Sequence, residues 1–476
     1  MSGSFFVAQS TKCRVDGYSE SLAIFIDDAH VECEMRSQNV KARVDSLQKL
    51  QISNDGGARW VSGVTLDTPV KWGGGSLIPV SQHTVNWVDE VVIGGIIPTD
   101  MSSNRTTAKQ MIADITRAFN ESASAVNRAG TIFPGNIQLR IEILTVDSGG
   151  SGSKNTVTEV VTAFAKKGNT TNTSLRTNVI GVVGPYWSSN AIPAVRVSNP
   201  FRLPMISYDA WSSALDSATE FPYFTRVGPA NSDVSKVVGL FLRSMGWMSV
   251  AVVTDDDAYA SDFGKQVAND MKEHGGTVLY HGIFATLPAQ AAVDKQGRLH
   301  KSGVKNISSH LFRAREKGAR IIFTTAKGNA GKIALYDALN DTGFLGEGYA
   351  VFEGGMMTLS NELIATGQQR VNGIVHMTTG GAHECKAAAC PHKACGPTCA
   401  ANARHMNQAH DAILTLATAL APLFRNGGAR YLAGAPESRS AAMTAIRATS
   451  LSADIAASGL LELSPSSTKR NVWNFG

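Results

Sequence analysis

The 476-residue chain holds no run of about 18 apolar residues, the length a membrane-spanning helix needs, so no segment reads as a membrane span. AILTLATALAPLF at 412–424 comes nearest and is better read as a buried helix. The start, MSGSFFVAQSTKCRVDG, lacks the charged opening, long apolar segment and small-residue cleavage site of a secretory leader. No Lys/Arg block is interleaved with aromatics. Despite a net charge of +5, nucleic acid is therefore not an expected partner. No Ser or Cys can be matched with a neighbouring base, so no enzyme, cofactor or catalytic residue is expected.

What is present is an ordinary globular composition, 43% hydrophobic and 17% charged, with six cysteines in two local groups. Cys13 and Cys33 form one group; Cys385, Cys390, Cys395 and Cys399 form the other. An even count in local groups points to disulfides and an oxidising, extracellular compartment. N-x-S/T sequons begin at Asn104, Asn120, Asn169, Asn172 and Asn306 and add weak support. Extracellular cysteines without a leader are reconciled if Met1 is not the true start or the chain is a piece of a larger protein. The late group, in HECKAAACPHKACGPTCAANARH, also offers imidazoles, and a zinc knot is the alternative. Its spacing lacks paired C-x2-C knuckles, so two disulfides are expected there, with the pairing open and no metal.

Residues 5–70 read as short strands with turns. KLQISNDGGARWVSGVTL, for example, is a strand, an Asn-Asp-Gly-Gly turn and another strand. KWGGGSLIPVSQH at 71–83 is a Gly-rich linker. Beyond it apolar strands alternate with amphipathic helices. Strands are expected at 90–98, 138–147, 178–185 and 203–208, with helices at 105–127, 153–167 and 187–198 between them. The pattern resumes with helix 232–246, strand 249–256, helix 260–274, strand 277–284, helix 304–318, strand 319–325, helix 329–342 and strand 348–354. Such alternation implies α/β architecture with two parallel sheets, each covered on both faces.

TKCRVDG, AHVECEM and LQISNDGGARW resemble the later part of an IPT/TIG-type immunoglobulin-like β-sandwich. The resemblance implies an incomplete sandwich over 1–72, a linker over 73–89, and a bond between Cys13 and Cys33 on neighbouring strands. Residues 90–476 resemble the receptor-family ligand-binding region, which has the two-lobed type I periplasmic-binding-protein fold. The matching stretches are VIGVVGPYWSSNAIPAVRVSNPFRLPMISYDAWSSALD, FPYFTRVGPANSDVSKVVGLFLRSMGWMSVAVVTDDDAYASDFGKQV and HDAILTLATAL. The family fold implies a first lobe of 90–245 and 378–476, a second lobe of 246–377, and crossings near 223–230, 279–286 and 374–380. It also implies a ligand held between the lobes and a possible dimer through the first lobe.

Ser188 and Ser189 follow a strand end and open a helix, where backbone amides and the helix dipole favour an anion. By resemblance they match serines that hold a ligand's α-carboxylate; an ordinary helix cap is the plain alternative. Trp187 either narrows the pocket or stacks on the ligand. In SYDAWSSALD the family's ligand-contacting places hold Asp209, Ala210 and Trp211: an acid for an ammonium and a ring for cation–π contact, or simple packing. Tyr259 matches the family's closing tyrosine in TDDDAYASDFG, and Glu353 falls near its ammonium-pairing acid. The aspartates before Tyr259 lack the further ligands of a calcium loop. RIIFTTAKGNAGK mimics a phosphate loop, but Ala326 stands for its first Gly and Ile333 for its hydroxyl residue, which excludes nucleotide binding.

The function expected is that of an extracellular receptor domain. It would sense a small polar ligand, such as an amino acid, by lobe closure, and meet the membrane only through segments absent from this chain. A solute-binding protein for a transporter, or an adhesion or scaffold module with an inactive cleft, are the alternatives.

Overall fold

The computed structural model describes residues 89–98, 105–130, 132–133, 137–146, 156–166, 179–285, 301–354, 374–377, 397–427, 436–452, 456, 461–463 and 467–469, together with five short strands ahead of them. Those strands are β1 (Lys12–Val15), β2 (Ser21–Asp27), β3 (His30–Cys33), β4 (Leu50–Ser53) and β5 (Val61–Ser62). They form one antiparallel sheet in the order β3-β2-β1-β4-β5. Cys13 lies on β1 and Cys33 on β3, and β2 stands between them. The two cysteine-bearing strands are therefore not hydrogen-bonded to each other.

From residue 89 the strand–helix alternation takes over. β6 (Asp89–Pro98) is followed by α1 (Arg105–Ala129), β7 (Ile137–Val146), α2 (Val157–Lys166), β8 (Val182–Val183), α3 (Ser188–Ser198), β9 (Met205–Ser207) and β10 (Phe224–Arg226). The sheet is wholly parallel in the order β10-β9-β8-β6-β7. Residues 91–98 are all buried, as a strand covered on both faces must be. Successive residues point to opposite faces. A Cβ added at Gly94 would meet the Phe164 ring of α2 at 3.0 Å, and one at Gly95 the Phe119 ring of α1 at 2.7 Å. The two glycines let helices press onto β6 from both sides.

The second lobe runs α4 (Asn231–Ser244), β11 (Ser249–Asp255), α5 (Ala260–Glu273), β12 (Thr277–Phe284), α6 (Lys301–Glu316), β13 (Ile321–Thr325), α7 (Gly328–Asp341), β14 (Ala350–Gly354) and β15 (Ile374–Met377). Its parallel sheet has the order β12-β11-β13-β14-β15. α6 and α7 pack on one face through Leu311, Leu335 and Leu339, and α4 and α5 on the other through Val238, Leu242 and Phe263. The chain then returns: α8 (Pro397–Gly427) and α9 (Pro436–Arg447) bury Leu416, Leu420 and Met443 in the first lobe's core. A two-stranded ribbon, β16 (Ser450–Leu451) with β17 (Leu461–Glu462), follows.

Two α/β lobes with parallel sheets are what the sequence pattern led one to expect. One boundary differs. The helix at 232–246 was expected in the first lobe, yet Val234, Val238 and Leu242 of α4 share a core with Val250, Val252 and Phe263. The chain therefore changes lobes before α4, as the crossing expected near 223–230 requires, and the first lobe's segment ends ahead of 231 rather than at 245.

Candidate functional site

In a parallel sheet the loops behind the strands gather on one edge, and there the two lobes meet. Tyr186 and Trp187 follow β8, residues 208–211 follow β9, 256–259 follow β11, and Ala326 and Lys327 follow β13. Lys327 Nζ stands 5.0 Å from the centroid of the Trp187 ring. Trp211 and Tyr259 meet edge to face at 6.1 Å. Ser213 of the first lobe donates its backbone N–H to the Asp262 carboxylate of α5 at 2.7 Å and accepts from Gln266 Nε2 at 2.7 Å. Its hydroxyl also donates to Asp262. These contacts define the seam.

Gly184 makes the turn that leads into α3. Its φ is +118, and a Cβ there would lie 2.7 Å from the Ile96 carbonyl oxygen. Trp187 is the N-cap of α3, extended at φ −81 and ψ 139, with no side-chain cap bond. Its carbonyl accepts the N–H groups of Asn190 at 3.1 Å and Ala191 at 2.8 Å. Ser188 is 3% exposed, and its hydroxyl oxygen accepts the Ser212 N–H at 3.1 Å, tying α3 to the next loop. Ser189 is different. Its hydroxyl is buried without a hydrogen-bond partner, and so is Nε1 of Trp187, a residue only 9% exposed. A buried polar group left unmatched costs about 1–3 kcal/mol. Two of them at a helix start, where first-turn amides also lack intrahelical acceptors, make a place for an acceptor-rich group.

The expected second half of the first-lobe site is spent on the lobe itself. Asp209 is 2% exposed; His405 of α8 reaches its Oδ2 through Nδ1 at 2.8 Å, and Trp211 Nε1 donates to its Oδ1 at 2.8 Å. Tyr186 Oη lies 3.4 Å from the same imidazole. Burial, and after it the Asp209 charge, raises the Tyr208 phenol well above its ordinary value. Ala210 donates its N–H to Ser207 Oγ at 2.9 Å, and its carbonyl accepts from Arg226 Nη1 at 3.1 Å. Asp209, Ala210 and Trp211 are thus buried and bonded within the first lobe.

Glu353 is likewise bonded within its own lobe. It is fully buried at the end of β14. Lys332 Nζ lies at 3.0 Å, His376 Nδ1 at 2.7 Å, and the Tyr336 hydroxyl donates to it at 2.5 Å. Burial alone would raise its pKa; the Lys332 charge and the His376 and Tyr336 bonds outweigh that and hold it at about 2. Tyr259, the expected closing residue, donates weakly to the Gly354 carbonyl at 3.5 Å and packs on Trp211 and Phe263.

Lys327 and its neighbours were not foreseen. Its ammonium pairs with Asp257 at 2.6 Å, and its backbone N–H donates to Asp255 Oδ2 at 2.5 Å. Burial pushes Asp255 up to about 7, against the Lys327 hydrogen bond, which lowers it. The sequence did carry a signal: Lys327 lies just behind a parallel strand, on the ligand edge of the sheet. Its phosphate-loop mimicry drew attention away from that position. His405 and His376 gave no such signal, because His405 meets its acid from a helix remote in the chain and His376 meets its acid only through the register of the neighbouring strand.

Among the described residues no cluster of metal-ligating side chains and no helix long and apolar enough to cross a membrane is found. Cys385, Cys390 and Cys395 lie outside the described residues, and Cys399 falls within α8.

Comparison with known proteins gives the family. Residues 115–455 match the model of the receptor family ligand binding region. The chain is 26% identical over 121 residues to the mouse (Mus musculus) taste receptor type 1 member 1, 25% of this chain and 14% of that protein. It is 28% identical over 123 residues to metabotropic glutamate receptor 6 of Rattus norvegicus, 26% of this chain and 14% of that receptor. These matches thus span a small part of the relatives' own length. Among solved structures, a leucine binding protein from Thermotoga maritima superposes with a TM-score of 0.56 at 18% identity, covering 79% of this chain and 93% of that one. An R. palustris solute binding protein gives 0.57 at 15% identity, covering 80% and 90%. Since the family model spans well over half of its length, this chain belongs to the receptor family ligand binding region family.

Proposed function

We propose that the chain is the extracellular ligand-binding part of a receptor-type sensor, and that it holds the carboxylate of a small polar ligand at the start of α3, between the lobes. The observation that carries this is the pair of buried, unmatched groups there, Trp187 Nε1 and Ser189 Oγ. A carboxylate accepts from both and from the first-turn amides. Charge-assisted bonds of this kind contribute about 1.5–3 kcal/mol each. The ligands bound in two fold neighbours, leucine and 4-hydroxybenzoate, share only a carboxylate and an apolar body. Binding shifts the lobes toward closure by the ligand's differential affinity for the closed form, and Lys327 of the second lobe is the nearest group to supply it. The N-terminal antiparallel sheet is then an immunoglobulin-like module carried beside the sensor.

A free solute-binding protein is the second reading. It is favoured by fold neighbours of which this chain covers 90–95%. A membrane-spanning segment in the complete gene separates the two.

The test is isothermal titration of the full chain with a panel of small carboxylates, repeated on Ser189→Ala. A five- to thirtyfold loss, about 1–2 kcal/mol, is expected in the variant. Equal affinity in the two proteins contradicts the proposal.

A further inference from the structure

We infer that the ligand is an organic carboxylate without an α-ammonium group. This rests on the carboxylate site proposed at α3. An ammonium taken into the seam needs a carboxylate, a carbonyl cage or an open aromatic face, because a buried charge without a partner is costly. Among the described residues the seam's acids are all engaged. Asp209 holds His405 and Trp211. Glu353 holds Lys332, His376 and Tyr336. Asp257 holds the Lys327 ammonium at 2.6 Å and the Tyr259 N–H at 3.0 Å. Asp255 accepts the backbone N–H groups of Lys327 and Asp257. Asp262 holds Ser213 and Asn231, and Asp256 has an interaction of its own.

The Trp187 face is occupied as well. The Trp187 ring beside the serines already carries the Lys327 ammonium at 5.0 Å. A ligand ammonium would have to displace that lysine, or break one of the pairs above and leave a lysine or histidine buried without its acid. The unmatched groups have the opposite preference: the Trp187 indole is a donor only, and the Ser189 hydroxyl can donate. Among the described residues the seam thus offers unmatched donors for an anion and no carboxylate that lacks a partner for an ammonium. That is the chemistry of a deaminated acid: a fatty, aryl, hydroxy or oxo acid whose carboxylate enters at α3.

The experiment titrates the full chain with acids matched to amino acids but for the ammonium group. The pairs are 4-methylpentanoate with leucine, 3-phenylpropanoate with phenylalanine, and pentanedioate with glutamate. The expected result is that at least one deaminated acid binds tenfold or more tighter than its amino partner, and that Ser189→Ala weakens it. An amino acid that binds as tightly as its deaminated partner, or more tightly, overturns the inference. If Ser189→Ala weakens that amino acid, the carboxylate site survives. If no member of any pair binds, the carboxylate site fails, and the inference fails with it.

Discussion

Two buried carboxylates in the second lobe respond to pH in opposite senses, and their surroundings say why. Glu353 has three donors around it and is held at about 2, below its ordinary 4.5. Its contribution to stability is complete above pH 4.5 and is lost as pH falls toward 2. Replacing Glu353 with Gln leaves the Lys332 ammonium buried without its acid. Breaking such a pair costs about 3–5 kcal/mol, so the urea midpoint of Glu353→Gln should fall sharply, and an unchanged midpoint would mean the pair is not formed. Asp255 behaves the other way. Burial raises it from 3.8 to about 7, so the folded chain holds its proton where the unfolded chain has released it. The stability this brings is full below pH 3.8 and is lost as pH rises through about 7. Asp255→Asn should flatten the melting-temperature curve between those limits, even though its amide nitrogen would face the Lys327 N–H and lower every value. A slope equal to that of the unaltered protein would refute the assignment.

Strands and helices were legible because their patterns are local. The apolar run of β6 and the Val234, Val238, Leu242 stripe of α4 are written in neighbouring residues. Which sheet the α4 stripe covers is not local information, and the first-lobe expectation was wrong for that reason. The same limit applies to the site. The strand end and helix start of the proposed α3 site are contiguous in the sequence and could be read. The surroundings of Asp209 and Glu353 depend on His405, from a distant helix, and on His376, set by strand register, and could not be read. Leu242→Ala tests the placement of α4. It should cost about 2–5 kcal/mol and speed hydrogen exchange in α5 and β11 while leaving α1, β6 and β7 unchanged. Faster exchange in the first lobe instead would return α4 to it.

The whole molecule is two parallel-sheet lobes whose loop edges touch through Lys327 and Trp187, Trp211 and Tyr259, and Ser213 and Asp262. A cation–π contact contributes about 0.5–2 kcal/mol, so Lys327→Ala should shift the ligand-free lobes toward opening, read as a larger radius of gyration in small-angle scattering. An identical radius would show that Lys327 does not hold the seam. That the seam takes a carboxylate at the start of α3 is tested most directly by nitrogen-15 spectra of the tryptophan indoles. The Trp187 resonance is identified by its absence in Trp187→Phe, and the chain is titrated with whichever of the six acids named above binds most tightly. The Trp187 indole N–H should move downfield in step with binding as it gains an acceptor. Saturation of the protein with that resonance unmoved would contradict the site.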